Sequence, residues 1–108
     1  MLDPARNFLP VNELKFYIDQ MVKYKFNVLQ LHLSDDQGWS IWIETYPKLA
    51  GSRFYTKQDI QELVDYAEKR HVQVVPEIDV PGHTVSLLAK YPDMACIQPK
   101  RLLVRQDI

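Results

Sequence analysis

Asn27-Val28-Leu29-Gln30-Leu31-His32-Leu33-Ser34-Asp35-Asp36-Gln37-Gly38-Trp39 runs from an apolar stretch into two carboxylates, an amide, a glycine and a tryptophan. The part from Asn27 to Leu33 is too continuously apolar for a half-exposed strand, and it predicts a strand in a sheet covered on both faces. Its polar end predicts a turn or a pocket where the strand stops. A second stretch, Val72-Gln73-Val74-Val75-Pro76-Glu77-Ile78-Asp79, has the same design, with Pro76 suggesting that ladder pairing weakens there.

Helical patterns flank these strands. Asn12 is a candidate cap for a helix running to about Tyr24, with Leu14, Tyr17, Ile18 and Met21 on one face. Thr56 and Asp59 have the spacing of a capping box, and Ile60, Leu63, Val64 and Ala67 give the next helix its apolar face, ending near Arg70-His71. Ile41 and Ile43 predict a short extension after Gly38, Pro47 and Gly51 mark a loop, and Val85 to Lys90 suits one or two further helical turns. With Met1 to Ala5 counted as a strand, the order is strand, helix, strand, helix, strand. The fold class is α/β, with about three parallel strands and intervening helices, as a piece of a barrel or of an open doubly wound sheet. The three glycines are widely separated, so the phosphate loop of a dinucleotide fold is missing.

At 108 residues the chain is one domain at most, and 46% hydrophobic with 25% charged residues is an ordinary globular composition. A net charge of -1 gives no electrostatic reason to expect nucleic acid or an anionic membrane as partner. The apolar runs are far too short to span a bilayer, and Met1 leads into Leu-Asp-Pro-Ala-Arg without the pattern of a signal peptide. Cys96 is the only cysteine, so no intrachain disulfide is expected and the cellular compartment is not legible; the residue is read as a small buried hydrophobe.

Polar residues collect where active sites of α/β sheets form, at the carboxyl ends of the strands. Arg6 follows the first, Asp35, Asp36 and Gln37 the second, and Glu77, Asp79 and His83 the third. Asp35 serves equally well as a turn former, and Asp36 should point away from it. Glu77 and Asp79 lie on one side of an extended segment, placed to divide acid and base roles or to pair with a neighbouring cation. Pro81-Gly82 can expose His83, whereas His32 and His71 are weighted toward structural roles. Trp39 and Trp42 offer either stacking faces or packing. His32, Asp35, Glu77, Asp79 and His83 are acceptable ligands for a divalent ion, which keeps a metal-dependent barrel hydrolase or isomerase as an alternative. No His-x-His pair or His-Glu-x-x-His helix is present, so neither a metal set nor a cofactor is assigned.

Four blocks in order, Leu2-Asp3-Pro4-Ala5-Arg6-Asn7-Phe8, Asn27 to Trp39, Phe54-Tyr55-Thr56 and Val75-Pro76-Glu77-Ile78-Asp79-Val80-Pro81-Gly82-His83, resemble the catalytic domain of the β-N-acetylhexosaminidases of glycoside hydrolase family 20. The resemblance covers residues 1 to about 93 and leaves 94–108 unassigned. It implies part of a (β/α)8 TIM barrel and a retaining hydrolase that removes terminal N-acetylglucosamine or N-acetylgalactosamine from β-linked glycans. In that chemistry the substrate's own acetamido oxygen attacks the anomeric carbon, a glutamic acid protonates the leaving oxygen, and the aspartate before it orients the acetamido group. Carried over by motif, Arg6 binds sugar hydroxyls, Asp35 and His83 support the network around the acid, and Glu77 and Asp79 have supporting roles. The chain has no Asp-Glu dipeptide, and Ser40 stands where the family frequently has arginine. A whole barrel needs about 250 residues. The expectation is therefore the N-terminal part of the barrel, inactive alone, with the remaining barrel and β-linked N-acetylhexosamine glycans as partners. A non-catalytic sugar-binding or assembly module is the other reading.

Overall fold

The computed structural model describes residues 1–96. Its elements are α1 (Val11–Lys23), β1 (Val28–His32), α2 (Lys57–Glu68), β2 (Gln73–Glu77) and α3 (Val85–Lys90), followed by a single 3-10 turn at Pro92–Met94. The two strands pair in parallel, Val28 beside Gln73 through His32 beside Glu77. The expected strand over Met1–Ala5 is reduced to one parallel bridge, Leu2 beside Leu31. Leu2 donates to the Gln30 carbonyl and accepts from the His32 N–H, both at 3.0 Å. The ladder stops because Pro4 has no N–H and opens a turn that runs to Arg6.

Proline is accommodated inside β2. The Gln73 N–H donates to the Asn27 carbonyl and the Glu77 carbonyl accepts from Leu33, so residues 73, 75 and 77 face β1. The Pro76 nitrogen therefore points to the opposite edge, where no ladder bond is forfeited. Pairing continues past it to Glu77, rather than weakening at Pro76 as the sequence suggested.

Strand alternation divides the sheet into two unlike faces. Leu29, Leu31 and Leu33 point into a core completed by Leu14 and Ile18 of α1, Leu63 and Ala67 of α2, Tyr55 and Val72. Each fully buried Leu or Ile adds about 1.5–3 kcal/mol through apolar burial. The other face carries Gln30, His32 and Glu77, and Val28 there is 49% exposed. Within these residues the core elements pack on one face, and the side chains of the other face bond laterally to one another. Tyr55 closes the core from the Ser40–Tyr55 connection: its hydroxyl donates to the Leu9 carbonyl at 2.5 Å and its ring stacks on Phe8 at 4.7 Å. Burial pushes that phenol up to about 12. The expected extension after Gly38 forms as a bridge between Ile41 and Tyr55.

Both helices turn into their strands by the same device. Lys25 and His71 adopt left-handed φ values of 62° and 59°. The next residues donate five positions back, Phe26 to Met21 and Val72 to Ala67, each at 2.9 Å. This is the Schellman arrangement, usually built on glycine. The Thr56–Asp59 capping box at the start of α2 forms in full. By contrast, α1 begins one residue before Asn12, at Val11, with Pro10 as its cap and no side-chain cap bond, so Asn12 does not cap it. Tyr17 is 41% exposed at the rim of α1, and Cys96 is exposed rather than buried. Residues 97–108, most of the segment left unassigned from sequence, lie outside the described residues.

The left-handed lysine gives a direct test. A side chain in that region costs about 1–2 kcal/mol, so Lys25→Gly is expected to stabilise the chain by about 0.5–1 kcal/mol. Lys25→Val should destabilise it, because a branched Cβ crowds the same backbone. Urea midpoints of the three proteins check the ordering; a glycine variant less stable than the parent would contradict it.

Candidate functional site

Asp35 is fully buried at the carboxyl end of β1, and four donors converge on its carboxylate. Oδ2 forms an ion pair with Arg6 Nη2 at 2.7 Å and contacts His32 Nε2 at 2.6 Å. Oδ1 accepts from the Asp36 backbone N–H at 2.7 Å and contacts His83 Nδ1 at 3.0 Å. Each oxygen thus has two close protein partners. Burial alone would raise this carboxyl, but the bonds from His32, Asp36 and His83 and the Arg6 charge outweigh it and hold it at about 2.

Local sequence places each donor. The turn from Pro4 to Arg6 puts Arg6 beside the end of β1, where Asp3 receives both its backbone N–H at 3.1 Å and its Nη1 at 2.7 Å. Arg6 Nε donates to Gln37 Oε1 at 3.3 Å. Three acceptors thus hold a guanidinium whose side chain remains 47% exposed. The Asp35–Gly38 turn that carries Gln37 is closed by Asp35 N–H to the Gly38 carbonyl at 2.9 Å. It lies so close to the N-terminal turn that a Cβ on Gly38 would sit 2.7 Å from the Ala5 carbonyl oxygen.

His83 arrives from the other side. The left-handed member of the Pro81-Gly82-His83 turn is His83 itself, at φ 55°. Histidine tolerates this region better than most side chains. Helix α3 follows at once and docks on the same turn: Asp36 Oδ1 accepts the Val85 N–H at 3.0 Å, and the Ser86 hydroxyl donates to the Asp35 carbonyl at 2.5 Å. Asp36 thus caps a helix across space with a carboxylate oxygen within 4.8 Å of one of Asp35, rather than pointing away, because the strand has ended before this turn.

Glu77 belongs to the same assembly through His32, whose Nδ1 lies 2.8 Å from Glu77 Oε1. Gln30 Nε2 donates to the other Glu77 oxygen. His32 first, then Gln30, draw the Glu77 carboxyl below its ordinary value, opposite to what a general acid requires. The bond to Asp35 raises His32, burial opposes it, and the bond to Glu77 raises it again. Asp79 sits at the margin: its backbone N–H donates to Ser34 Oγ at 3.0 Å. One ligand atom each of His32, Glu77 and Asp79 falls within 4.8 Å of the others, as do those of Asp35, Asp36 and His83. A cation joining the first trio would need an imidazole lone pair, yet both His32 nitrogens already face carboxylate oxygens.

The structure therefore joins Arg6, Asp35, His83 and Glu77, four of the five residues singled out from sequence, and leaves Asp79 beside them. It adds His32 as the central link, with Asp3, Gln30 and Gln37 as outer supports. Trp39 is 6% exposed and packs inside, while Trp42 packs on Phe54 at 5.7 Å. Neither contacts the Asp35 cluster among the hydrogen bonds and ring contacts of the described residues.

Two measurements follow from this geometry. Gly38→Ala forces the Asp35–Gly38 turn away from Ala5 and is expected to cost about 1–3 kcal/mol, the usual range for overpacking; a denaturation midpoint equal to that of the parent would contradict the close approach. For pH, Asp35 and Glu77 are lowered, so their stabilisation is complete above the ordinary carboxylate range and fades as pH falls, for Asp35 through about 2. His32 is raised, so its contribution is complete below 6.5 and is lost as pH rises through its higher folded value. Thermal stability should therefore decline on both sides of a plateau, and Asp35→Asn should lower it by about 2 kcal/mol by stranding buried donors while flattening both limbs.

The chain matches the family model described as glycosyl hydrolase family 20, catalytic domain, over residues 1–107. It is 44% identical to a β-hexosaminidase of Akkermansia muciniphila, the alignment covering 97% of this chain and 24% of that protein. It is 40% identical to a β-hexosaminidase of Porphyromonas gingivalis, over 89% of this chain and 14% of the relative. Among solved structures, the β-N-acetylhexosaminidase of Streptomyces coelicolor superposes with a TM-score of 0.84 at 48% identity, over 89% of this chain and 22% of that one. A Streptomyces plicatus β-hexosaminidase mutant in complex with the product GlcNAc gives 0.84 at 48%, over 89% and 21%. The chain thus spans a quarter or less of the length of these relatives. Its structural neighbours imply a TIM-barrel-type domain, and its two parallel strands and three helices agree with a part of one. By a family match that runs nearly end to end, the chain belongs to the catalytic-domain family of the family 20 glycosyl hydrolases.

Proposed function

We propose that this chain forms the arginine-bearing wall of a sugar pocket in a family 20 β-N-acetylhexosaminidase barrel. The reaction it serves is the retaining removal of terminal β-linked N-acetylglucosamine or N-acetylgalactosamine. The observation that carries this reading is the state of Arg6. Its Nε and one Nη1 hydrogen are donated to Gln37 and Asp3, and Nη2 forms an ion pair with Asp35 at 2.7 Å. Three of the five guanidinium N–H groups carry no hydrogen bond among the described residues, on a side chain held at three points. His83 contributes a further group: its Nδ1 is turned to Asp35, and its half-exposed ring presents Nε2 outward. A hydroxyl group both donates and accepts, so hydroxyl-rich ligands suit a guanidinium beside an imidazole nitrogen.

In this reading the Leu2 segment, β1 and β2 are three adjacent staves of a (β/α)8 barrel. The helices lie outside, and the Gln30–His32–Glu77 face turns toward the barrel axis. Asp35 supports the pocket rather than reacting in it, since it is buried and protein groups pair with both of its oxygens. Glu77 and Asp79 are supports as well. The general acid and the acetamido-orienting aspartate, which lie adjacent in this family's chemistry, have no counterpart in these 108 residues, which contain no Asp-Glu dipeptide. The chain by itself is therefore inactive.

Calorimetric titration of the purified chain with N-acetylglucosamine should show saturable binding, weakened about tenfold or more by Arg6→Ala through loss of charge-assisted hydrogen bonds. A chromogenic N-acetyl-β-glucosaminide should not be turned over. Turnover abolished by Arg6→Ala would overturn the inactive reading, and absence of saturable binding would overturn the sugar-pocket reading. A sugar-binding module without catalysis rests on the same Arg6 geometry. The two separate when the remaining strands of a family barrel are supplied in trans: activity appears only if the chain is a catalytic-domain wall.

A further inference from the structure

We propose that His32 is a positioning residue, held as a doubly protonated imidazolium between Asp35 and Glu77, whose charge fixes the Asp35 carboxylate and through it the Arg6 guanidinium. The inference starts from an inventory of protons. A neutral imidazole has one N–H donor and one bare acceptor nitrogen, whereas an ionised carboxylate only accepts. Yet both ring nitrogens of His32 lie at hydrogen-bond distance from carboxylate oxygens, Nε2 at 2.6 Å from Asp35 Oδ2 and Nδ1 at 2.8 Å from Glu77 Oε1. A neutral ring would aim a lone pair at one of these oxygens. Two protons, one in each contact, remove that repulsion.

The rest of the network decides where those protons sit. Asp35 Oδ2 also pairs with a permanently charged Arg6, and Oδ1 accepts from the Asp36 backbone N–H. Glu77 Oε2 accepts from Gln30 Nε2. Each carboxylate is thus stabilised as an anion by a donor other than His32, which leaves the protons on the imidazole. The ionisable groups around the ring agree in sign. Asp3 comes from the N-terminal segment, Asp35 from the end of β1, and Glu77 and Asp79 from the end of β2. Arg6, on the far side of Asp35, is the one permanent cation of the cluster. His32 itself is buried, at 6% exposure, with its ring orientation fixed at both ends.

Loss of one His32 proton would break one of the two contacts. Breaking the Asp35 contact removes the hydrogen bond on the oxygen that pairs with Arg6; breaking the Glu77 contact detaches the end of β2 from that oxygen. Either way the ring ceases to be a strut between the strand ends. Holding Arg6 in this way matters for sugar affinity only under the reading of Arg6 given above, whereas the ionisation and its coupling to Arg6 do not depend on a sugar.

The test therefore uses no sugar. In the uniformly 15N-labelled 108-residue chain, long-range 1H–15N spectra should show both His32 ring nitrogens protonated at neutral pH, with a titration midpoint above that of an ordinary histidine. The Arg6 guanidinium resonances should move with the same midpoint. In Glu77→Gln, which keeps an acceptor for Nδ1 but removes its charge, the His32 midpoint should fall and the Arg6 inflection should fall with it. A single protonated His32 nitrogen at neutral pH in the parent chain would overturn the proposal, and so would Arg6 resonances that stay fixed while His32 titrates. Because the parent chain alone gives both readings, an unfolded variant would not remove the test. Failure to bind N-acetylglucosamine, measured separately, would count against the sugar-pocket reading and not against the ionisation.

Discussion

The Asp35 carboxylate is the constraint on which the functional end of the molecule depends. A buried carboxylate is tolerated only when hydrogen bonds replace its lost hydration. Asp35 obtains them from four places in the chain: the turn before α1, β1 itself, its own neighbour, and the turn before α3. Because the acceptor is short-stemmed and buried, its partners must come to it. The turn before α1, the end of β1 and the turn before α3 are drawn together by one anion, and the distances among Arg6, His32 and His83 follow from that convergence.

The apolar side of the sheet makes this convergence possible. Leu29, Leu31 and Leu33 alternate with Gln30, His32 and Ser34, so the strand that anchors the core with its odd residues presents polar groups with its even ones. The register then places His32 directly beside Glu77 and sends the Ser34 hydroxyl to the Asp79 N–H. A shift by one residue would exchange the two sets and bury the polar groups against α1 and α2. The packing of aliphatic side chains on the helices is thus what fixes the register of the polar face.

Much of this was legible from residue order. The apolar runs located β1 and β2, the Thr56–Asp59 spacing located the start of α2, and the polar residues at strand ends marked Arg6, Asp35, Glu77 and His83 before any distance was known. The less legible features share a physical cause: they depend on partners distant in sequence or on backbone angles that residue type does not reveal. Lys25 and His71 close their helices in a conformation normally signalled by glycine. Pro76 is harmless because its nitrogen faces the far edge, a matter of ladder parity rather than composition. His32 was weighted toward a structural role because one histidine on a strand carries no signal by itself. Its placement three residues before Asp35 and in register with Glu77 becomes informative only once strand pairing is known.

The same accounting of donors explains why the central group is not the one offered to a ligand. Asp35 is buried and surrounded by four protein partners, so its role ends within the protein. Its partners are only partly spent: Arg6 donates two of its five N–H groups, and His83 has used one of two ring nitrogens. Both side chains are about half exposed, against 1% for Asp35. Satisfying the buried anion thus leaves a cationic donor and one imidazole nitrogen at the surface, which under the sugar-pocket reading lowers the rotamer freedom lost when a ligand arrives. Preorganisation of this kind asks for rigidity in the group behind the contact rather than in the contact itself. Here that group is a carboxylate held through His32 to Glu77 on the adjacent strand.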